Sequence, residues 1–392
     1  MEAKFLQLHF SQLQSEWATA KYNNYSDLRK REYHEKLSKI ISLLEAEDIS
    51  KFSPLEIKQR FYVVFFLFKS LEFLNNSTSS SMPFEIVAVL EEALNDWIPT
   101  RDYIIVTSLI NNNIGFSYDT SLMLMDFIYK EIEILYGIKF EKRLIQINVP
   151  NSTARDYLAS VVLYHELGHF IDRKFEISRV LYIEILSAIL SGKLSAGEFN
   201  DIVKYFPYLA NINLVKWFHA NYFPGNKFEN HIAEYLCDLF GSQYIGEYSN
   251  RYVSYLTCDE ATDNVTHPSS INRSSFIMDF LTGNKKYLVE KYKQTVLLIT
   301  KEEIKSRAES FKSEDFENFL PVDIDRPQQL HFLFAYGWKV WLDDWNKMRA
   351  YNNLNFDLTQ EKVYSIINGL IEKSIGNFIV RTEWAKQASA IS

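Results

Sequence analysis

Cysteine is scarce in this chain: Cys237 and Cys258 are the only two in 392 residues. That is far too few to staple a protein of this length, so a disulfide scaffold is excluded and a reducing, cytoplasmic setting is expected. Basic charge is also in short supply. Lys and Arg total 42 against 50 for Asp and Glu, a net charge of -8, and no segment gathers the basic density of a phosphate-tracking surface. Nucleic acid is therefore not an expected partner. Long apolar runs are missing as well: the strongest, Phe61 to Phe68, ends at Lys69, whereas a spanning helix needs about 20 residues. It reads as a buried helix turn or strand, and no membrane span is expected. Met1 to Phe10 lacks the positive region, apolar run and small-residue cleavage site of a secretory signal. No internal repeat is visible.

What remains is an ordinary globular mixture, 47% hydrophobic and 23% charged, which removes wholesale disorder, collagen-like and coiled-coil readings. The length suggests about two or three domains. From about Glu16 to Phe73 apolar residues such as Leu37, Ile40, Ile41, Leu43 and Leu44 recur at helical spacing. Asn75 to Ser81, followed by Met82-Pro83, is the most linker-like stretch and predicts a boundary. Beyond it Tyr103 to Val106 is a short β-branched run, Leu122 to Leu135 is helical in pattern, and Leu144 to Val149 alternates before Pro150. From Thr153 onward helical patterns dominate. Thr153 and Asp156 are spaced as a capping box for a helix reaching about Arg173, and Gln328 to Trp345 and Gln360 to Ile371 predict further helices. The expected fold is α+β and predominantly helical, with a helical N-terminal region over 1–82, a mixed central domain over 83–290 and a helical C-terminal region over 291–392.

The chemistry concentrates in Val161 to Phe170, Val-Val-Leu-Tyr-His-Glu-Leu-Gly-His-Phe. His165 and His169 stand four apart, about 6 Å along one helix face, where two imidazoles can grip one metal ion. Glu166 is turned about 100° from His165, which suits a general base acting on a metal-activated water. Val161, Val162, Leu163, Leu167, Phe170 and Ile171 make this a buried helix, where polar side chains need partners. Gly168 fits a place where another backbone approaches closely, since glycine costs about 1 kcal/mol inside a helix. A catalytic zinc usually takes three protein ligands and leaves a position for water. In the H-E-x-x-H-x-x-G-x-x-H arrangement the last fixed positions fall on Asp172 and Phe175, which excludes it. Downstream, Ile232, Tyr235, Leu236, Leu239 and Phe240 recur at helical spacing, and Glu234 and Asp238 are again four apart. Glu234 can bind the ion while Asp238 accepts from the free N–H of a ligating histidine.

His165-Glu166-Leu167-Gly168-His169 followed by Glu234-Tyr235-Leu236-Cys237-Asp238 resembles the gluzincin class of zinc metallopeptidases. Thr266-His267-Pro268 with Arg273 resembles the T-H-P-x-x-x-x-R stretch of the peptidases related to the CAAX-prenyl and heat-shock-linked group, without that group's membrane helices. The resemblance covers about Leu144 to Arg273. It implies a zincin-like catalytic domain with flanking helical regions and Zn2+ held by His165, His169 and Glu234. It further implies Glu166 as base and proton donor, and Asp238 as support for a ligating histidine. The 64 residues between His169 and Glu234 read as an inserted helical segment. His267, Arg273, His231, His219 or a tyrosine is expected to stabilise the oxyanion, with His267 and Arg273 carried as catalytic. Leu144 to Val149 is expected to be an edge strand binding an extended peptide through Ile145 and Ile147; an internal strand is the other reading.

The resulting expectation is a soluble, cytoplasmic zinc endopeptidase acting on a protein or peptide substrate. Its long helical flanks suit selection of one target or a regulatory partner. Two alternatives stand beside it: a catalytically silent zincin-like module that binds a partner, and a zinc hydrolase acting on a non-peptide bond. Asp172 reads as a helix-end carboxylate, and Cys237 and Cys258 as core cysteines. His9, His34 and His331 read as structural, and Trp338, Trp341 and Trp345 as core aromatics.

Overall fold

The computed structural model describes residues 2–78, 83–110, 115–257, 262–351 and 358–391. It divides into two compact units, Met1–Arg155 and Asp156–Ser392. Predominantly helical with one small sheet, it bears out the α+β expectation.

The first unit runs α1 (Glu2–Ala20), α2 (Leu28–Glu45), α3 (Pro54–Asn75), α4 (Phe84–Asn95), β1 (Tyr103–Ile110), β2 (Ser117–Asp119), α5 (Ser121–Leu124), α6 (Asp126–Tyr136) and β3 (Arg143–Pro150). α3 starts where local chemistry dictates. Ser53 accepts from the Glu56 N–H, the Glu56 carboxylate returns to the Ser53 backbone, and Pro54 takes the first helical position where no N–H is needed. The Phe61 to Phe68 run lies inside this helix and buries Val63, Val64, Phe66 and Leu67 while Phe65 faces out. Tyr33, Phe66, Tyr129 and Phe140 pack with ring centroids between 4.5 and 5.8 Å, and the Tyr33 and Tyr129 hydroxyls meet at 3.0 Å.

The sheet order is β1-β3-β2. β1 runs parallel to β3 over its full length, from Tyr103 opposite Arg143 to Ile110 opposite Pro150. β2 pairs antiparallel with Gln146 to Asn148. The edge-strand expectation is therefore corrected: β3 is the middle strand, and its backbone at Gln146 to Asn148 is bonded on both sides, leaving no ladder there for a peptide. Ile145 and Ile147, expected to bind substrate, are 1% and 0% exposed. Alternation reveals a strand's two faces but not its neighbours.

The second unit runs α7 (Val162–Phe175), α8 (Ile177–Leu190), α9 (Ala196–Tyr205), α10 (Ile212–Ala220), α11 (Lys227–Ile245), α12 (Ser249–Thr257), α13 (Ser270–Leu281), α14 (Tyr287–Thr300), α15 (Glu314–Glu317), α16 (Pro327–Lys339), α17 (Trp345–Tyr351) and α18 (Gln360–Ile391). Its described residues contain no strand. A 3-10 turn, Ala159–Val161, leads into α7. The cap there is Asp156, whose Oδ1 accepts from the Ala159 N–H at 3.0 Å; Thr153 instead donates to the Pro150 carbonyl. Helices α8, α9 and α10 fill the interval between the two motif segments.

The division of the chain departs from the boundaries expected near 82 and 290. One hydrophobic cluster joins Leu6 on α1 to Ile104 on β1 and Leu144 on β3, so the linker-like stretch does not separate one core from another; its residues 79–82 lie outside the described residues. α14 crosses position 290 and is held by its neighbours, the Leu288 N–H donating to Asp201 and the Tyr292 hydroxyl to the Ile232 carbonyl. The aromatic cluster of the first unit should be sensitive to truncation. Phe66→Ala is expected to lower stability by about 3–5 kcal/mol, read as a reduced urea midpoint by circular dichroism.

Candidate metal centre

α7 and α11 carry the site, and their approach is set by Gly168. A Cβ at Gly168 would lie 3.0 Å from the Cα of Cys237 and 3.2 Å from its Cβ and Sγ. Glycine is therefore used for contact, as its place inside a helix suggests, and it brings the two motif segments face to face. α7 buries His165 (4% exposed), Glu166 and Gly168, and α11 buries Glu234 (6%), Cys237 and Asp238.

The two imidazoles are held alike, each by its Nδ1. His165 Nδ1 is 3.0 Å from Asp238 Oδ1, and His169 Nδ1 is 3.2 Å from Cys237 Sγ. Both rings turn the other nitrogen toward Glu234. His165 Nε2 lies 3.4 Å from Glu234 Oε2, and His169 Nε2 lies 3.5 Å from Glu234 Oε1. Ligand atoms bound tetrahedrally at zinc distances are separated by about 3.3–3.5 Å, and these two contacts have that spacing, each to a different oxygen of Glu234. Glu234 Oε2 is buried and accepts no well-formed hydrogen bond among the described residues, a condition that a buried carboxylate does not tolerate without a positive neighbour. His165, His169 and Cys237 also bring ligand atoms within 4.8 Å of one another. This buried group can hold a metal ion.

Behind the histidines stands Arg273, 3% exposed. Its Nε donates to Asp238 Oδ2 at 2.8 Å and its Nη2 to Asp238 Oδ1 at 2.7 Å, and Nη2 is 3.5 Å from Glu234 Oε2. The fork-to-carboxylate pairing is the strong geometry for a buried ion pair. Arg273 is thus committed to the two carboxylates, and its role here is to position Asp238.

The electrostatics describe a site that wants positive charge. Burial works against protonating His165, but its contacts with Asp238 and Glu234 outweigh it and raise the ring to about 10. Burial pushes His169 down to about 4. Burial also opposes the charge on Glu234, yet the adjoining His165 ring and the nearby Arg273 hold it far below the ordinary carboxylate range. Asp238, likewise resisted by burial, is lowered by the Arg273 guanidinium. Cys237 is pushed well up by burial.

His267 reaches the same carboxylate from a loop. Its side chain is 49% exposed, with Nε2 3.7 Å from Glu234 Oε1. The loop is built around Asn264, whose Oδ1 accepts from the Thr266 and His267 N–H groups at 2.8 and 2.7 Å, while the Thr266 hydroxyl meets His267 Nδ1 at 2.8 Å.

His231 is brought close but spent elsewhere: its Nδ1 meets the Tyr208 hydroxyl at 3.2 Å and its Nε2 meets the Asn264 carbonyl at 2.9 Å. It braces the His267 loop against α11. His219 lies exposed on α10. Asp172 is a buried helix-end carboxylate, accepting from the Ser178 N–H at 2.7 Å and from its hydroxyl at 2.8 Å at the start of α8. His34 and His331 are buried and bonded to the Ala20 carbonyl and the Tyr164 hydroxyl, and His9 packs edge-on to Phe61.

Sequence reasoning missed Cys237 as the partner of His169 and Asn264 as the organiser of the His267 loop. A signal for the first was present: Cys237 follows Glu234 by three residues, hence shares its helix face. Cys258 lies outside the described residues. Comparison of the chain with known protein families, with curated proteins and with solved structures finds no match.

Two substitutions test this packing. Helix propensity alone makes Gly168→Ala stabilising by about 1 kcal/mol; the contact with Cys237 reverses the sign, and a loss of about 1–3 kcal/mol is expected in urea denaturation. Arg273→Ala leaves Asp238 buried without its guanidinium and should cost about 3–5 kcal/mol in the same measurement.

Proposed function

We propose that the chain is a zinc-dependent hydrolase of peptide bonds in a protein or peptide substrate, with the metal held by His165, His169 and Glu234. The observation that carries this reading is the buried Glu234 Oε2, without a well-formed hydrogen bond among the described residues, facing the Nε2 of His165 while Oε1 faces that of His169. A zinc ion held there would polarise the scissile carbonyl and make water a nucleophile at neutral pH. Glu166, next to His165 on the buried helix, is the base that takes a proton from the attacking water and returns it to the leaving nitrogen. Asp238 holds the His165 Nδ1 and so turns Nε2 toward Glu234 and the proposed ion. Arg273 keeps Asp238 ionised and fixed. His267, half exposed beside Glu234, is the donor for the developing oxyanion.

The zincin-like reading rests on the paired helices α7 and α11 and the His267 loop; strand β3 belongs to the other compact unit. No described helix is long and apolar enough to cross a membrane, and the two cysteines support a reducing compartment. The helical flanks remain the proposed place for a regulatory partner.

Cys237 favours a second reading, in which His165, His169 and Cys237 bind the ion and the site is structural and catalytically silent. Metal content separates the two. Wild type is expected to retain about one zinc per chain after exhaustive dialysis, measured by elemental analysis. Glu234→Ala should lose it while Cys237→Ser and His231→Ala keep it; loss with Cys237→Ser and retention with Glu234→Ala would reverse the assignment. Glu166→Gln should keep zinc and lose about 10²- to 10⁴-fold of hydrolysis, assayed on quenched peptide libraries beside small esters, which report hydrolysis of a non-peptide bond.

A further inference from the structure

A cavity of about 410 Å³ in the second unit is separate from the metal centre; none of His165, His169, Glu234 or Asp238 lines it. Its walls are aromatic: Trp338 from α16, Trp341 from the turn after it, Tyr364 from α18 and Tyr255 from α12, joined by Ala159 and Glu361. The tryptophans read as core from the sequence. Trp338 is, at 5% exposed, but Trp341 is only partly buried and sits in a π-helical turn, Val340–Asp344. Such turns occur frequently at functional sites.

Two of the rings have their polar hydrogens engaged elsewhere. The Trp338 indole N–H donates to the Leu158 carbonyl at 3.0 Å. The Tyr364 hydroxyl donates to the Asp156 carboxylate, 2.6 and 2.7 Å from its two oxygens. What these rings offer a ligand is their π-surface. Trp338 and Trp341 stand at 68° with centroids 5.5 Å apart, and Trp341 and Tyr364 at 69° and 4.9 Å. Electron-rich faces set nearly at right angles surround a cation from several sides, which is how aromatic cages hold alkylated ammonium groups. Among the lining residues Glu361 is the one with a charge, and it is negative. Its carboxylate accepts from Thr359, and an anion would meet no cation among these lining residues. The Trp341 indole N–H is buried with no acceptor among the described residues, so this ring too offers a ligand its π-surface.

We propose that this cavity binds an alkylammonium group, presented by a small organic cation or by a methylated lysine side chain. The site does not depend on the hydrolase reading. Its walls also hold the entry to α7, since Leu158 donates its N–H to Asn368 Oδ1 at 3.0 Å in addition to accepting from Trp338. An occupant therefore bears on the helix that carries His165 and His169.

The test is calorimetric titration of the full chain with three probes: choline, a peptide bearing trimethyl-lysine, and the neutral alcohol in which a tert-butyl group replaces the trimethylammonium of choline. At least one cation is expected to bind, with the neutral alcohol about tenfold weaker than choline if choline is the ligand. Tighter binding by the peptide assigns the source as a protein side chain; tighter binding by choline assigns a free cation. Glu361→Gln, at an exposed position, should weaken binding about three- to tenfold with the thermal midpoint unchanged, and Trp341→Ala should weaken it further. If Trp341→Ala fails to fold, Trp341→Phe takes its place and should retain some of the affinity. Failure of both cations to bind at millimolar concentration, equal binding of choline and the neutral alcohol, or indifference to both Glu361→Gln and Trp341→Ala or its replacement would overturn the proposal.

Discussion

Two carboxylates, Glu234 and Asp238, are buried on one face of α11, and the neighbourhood is arranged around their charge. Taking two anions out of water costs several kcal/mol each unless cations and donors meet them. Arg273 satisfies Asp238 through both arms of its guanidinium and only brushes Glu234. The remaining demand falls on His165 and His169. Without a metal ion the demand is met by drawing a proton onto His165, which lies between the two carboxylates. The same arrangement, with the proton removed, brings ligand atoms of His165, His169 and Cys237 within reach of one ion.

That arrangement depends on distance between helix axes, and distance depends on a missing side chain. Gly168 lets α7 approach until Cys237 lies against its backbone, and the same approach places Cys237 Sγ beside His169 Nδ1. Each histidine is thereby fixed from behind by a residue of α11: His165 by a carboxylate, His169 by a thiol. The two holds are unequal. A carboxylate accepts strongly and raises the basicity of its ring, whereas a thiol is a weak partner, which agrees with the opposite directions in which the two imidazoles are shifted.

The helices and the residues gathered at the candidate metal centre were legible in the sequence, because both follow from spacing along one element. His165 and His169 announce themselves by i, i+4 geometry with Glu166 between them, Glu234 and Asp238 by the same spacing, and Gly168 by its cost inside a helix. What was not legible is what depends on neighbours distant in the chain. The alternation of Leu144 to Val149 gives a strand but not that β1 and β2 occupy both its sides. The polar stretch after Asn75 looks like a domain boundary, yet the helices before it and the strands after it share one apolar cluster. Arg273 looked like an oxyanion donor by its place after Thr266-His267-Pro268, but its guanidinium is enclosed by Asp238, a pairing 35 residues away in sequence. Motif order states which residues meet and says little about which atom each of them turns toward the reaction.

The same limit explains the aromatic residues of the second unit. Trp338 and Trp341 lie three apart, as core residues on a helix do, and Trp338 obeys the pattern. Trp341 departs from it because the helix widens into a π turn, which shifts each following side chain from its expected face. A local irregularity of backbone thus separates two residues of identical type, one anchored in the core through Leu158 and the other with its indole N–H unmatched among the described residues. Because Leu158 also precedes the turn into α7, the anchored tryptophan ties this aromatic wall to the element whose histidines face Glu234. The packing of the C-terminal helices therefore reaches, through Leu158, the segment that leads into the motif helix.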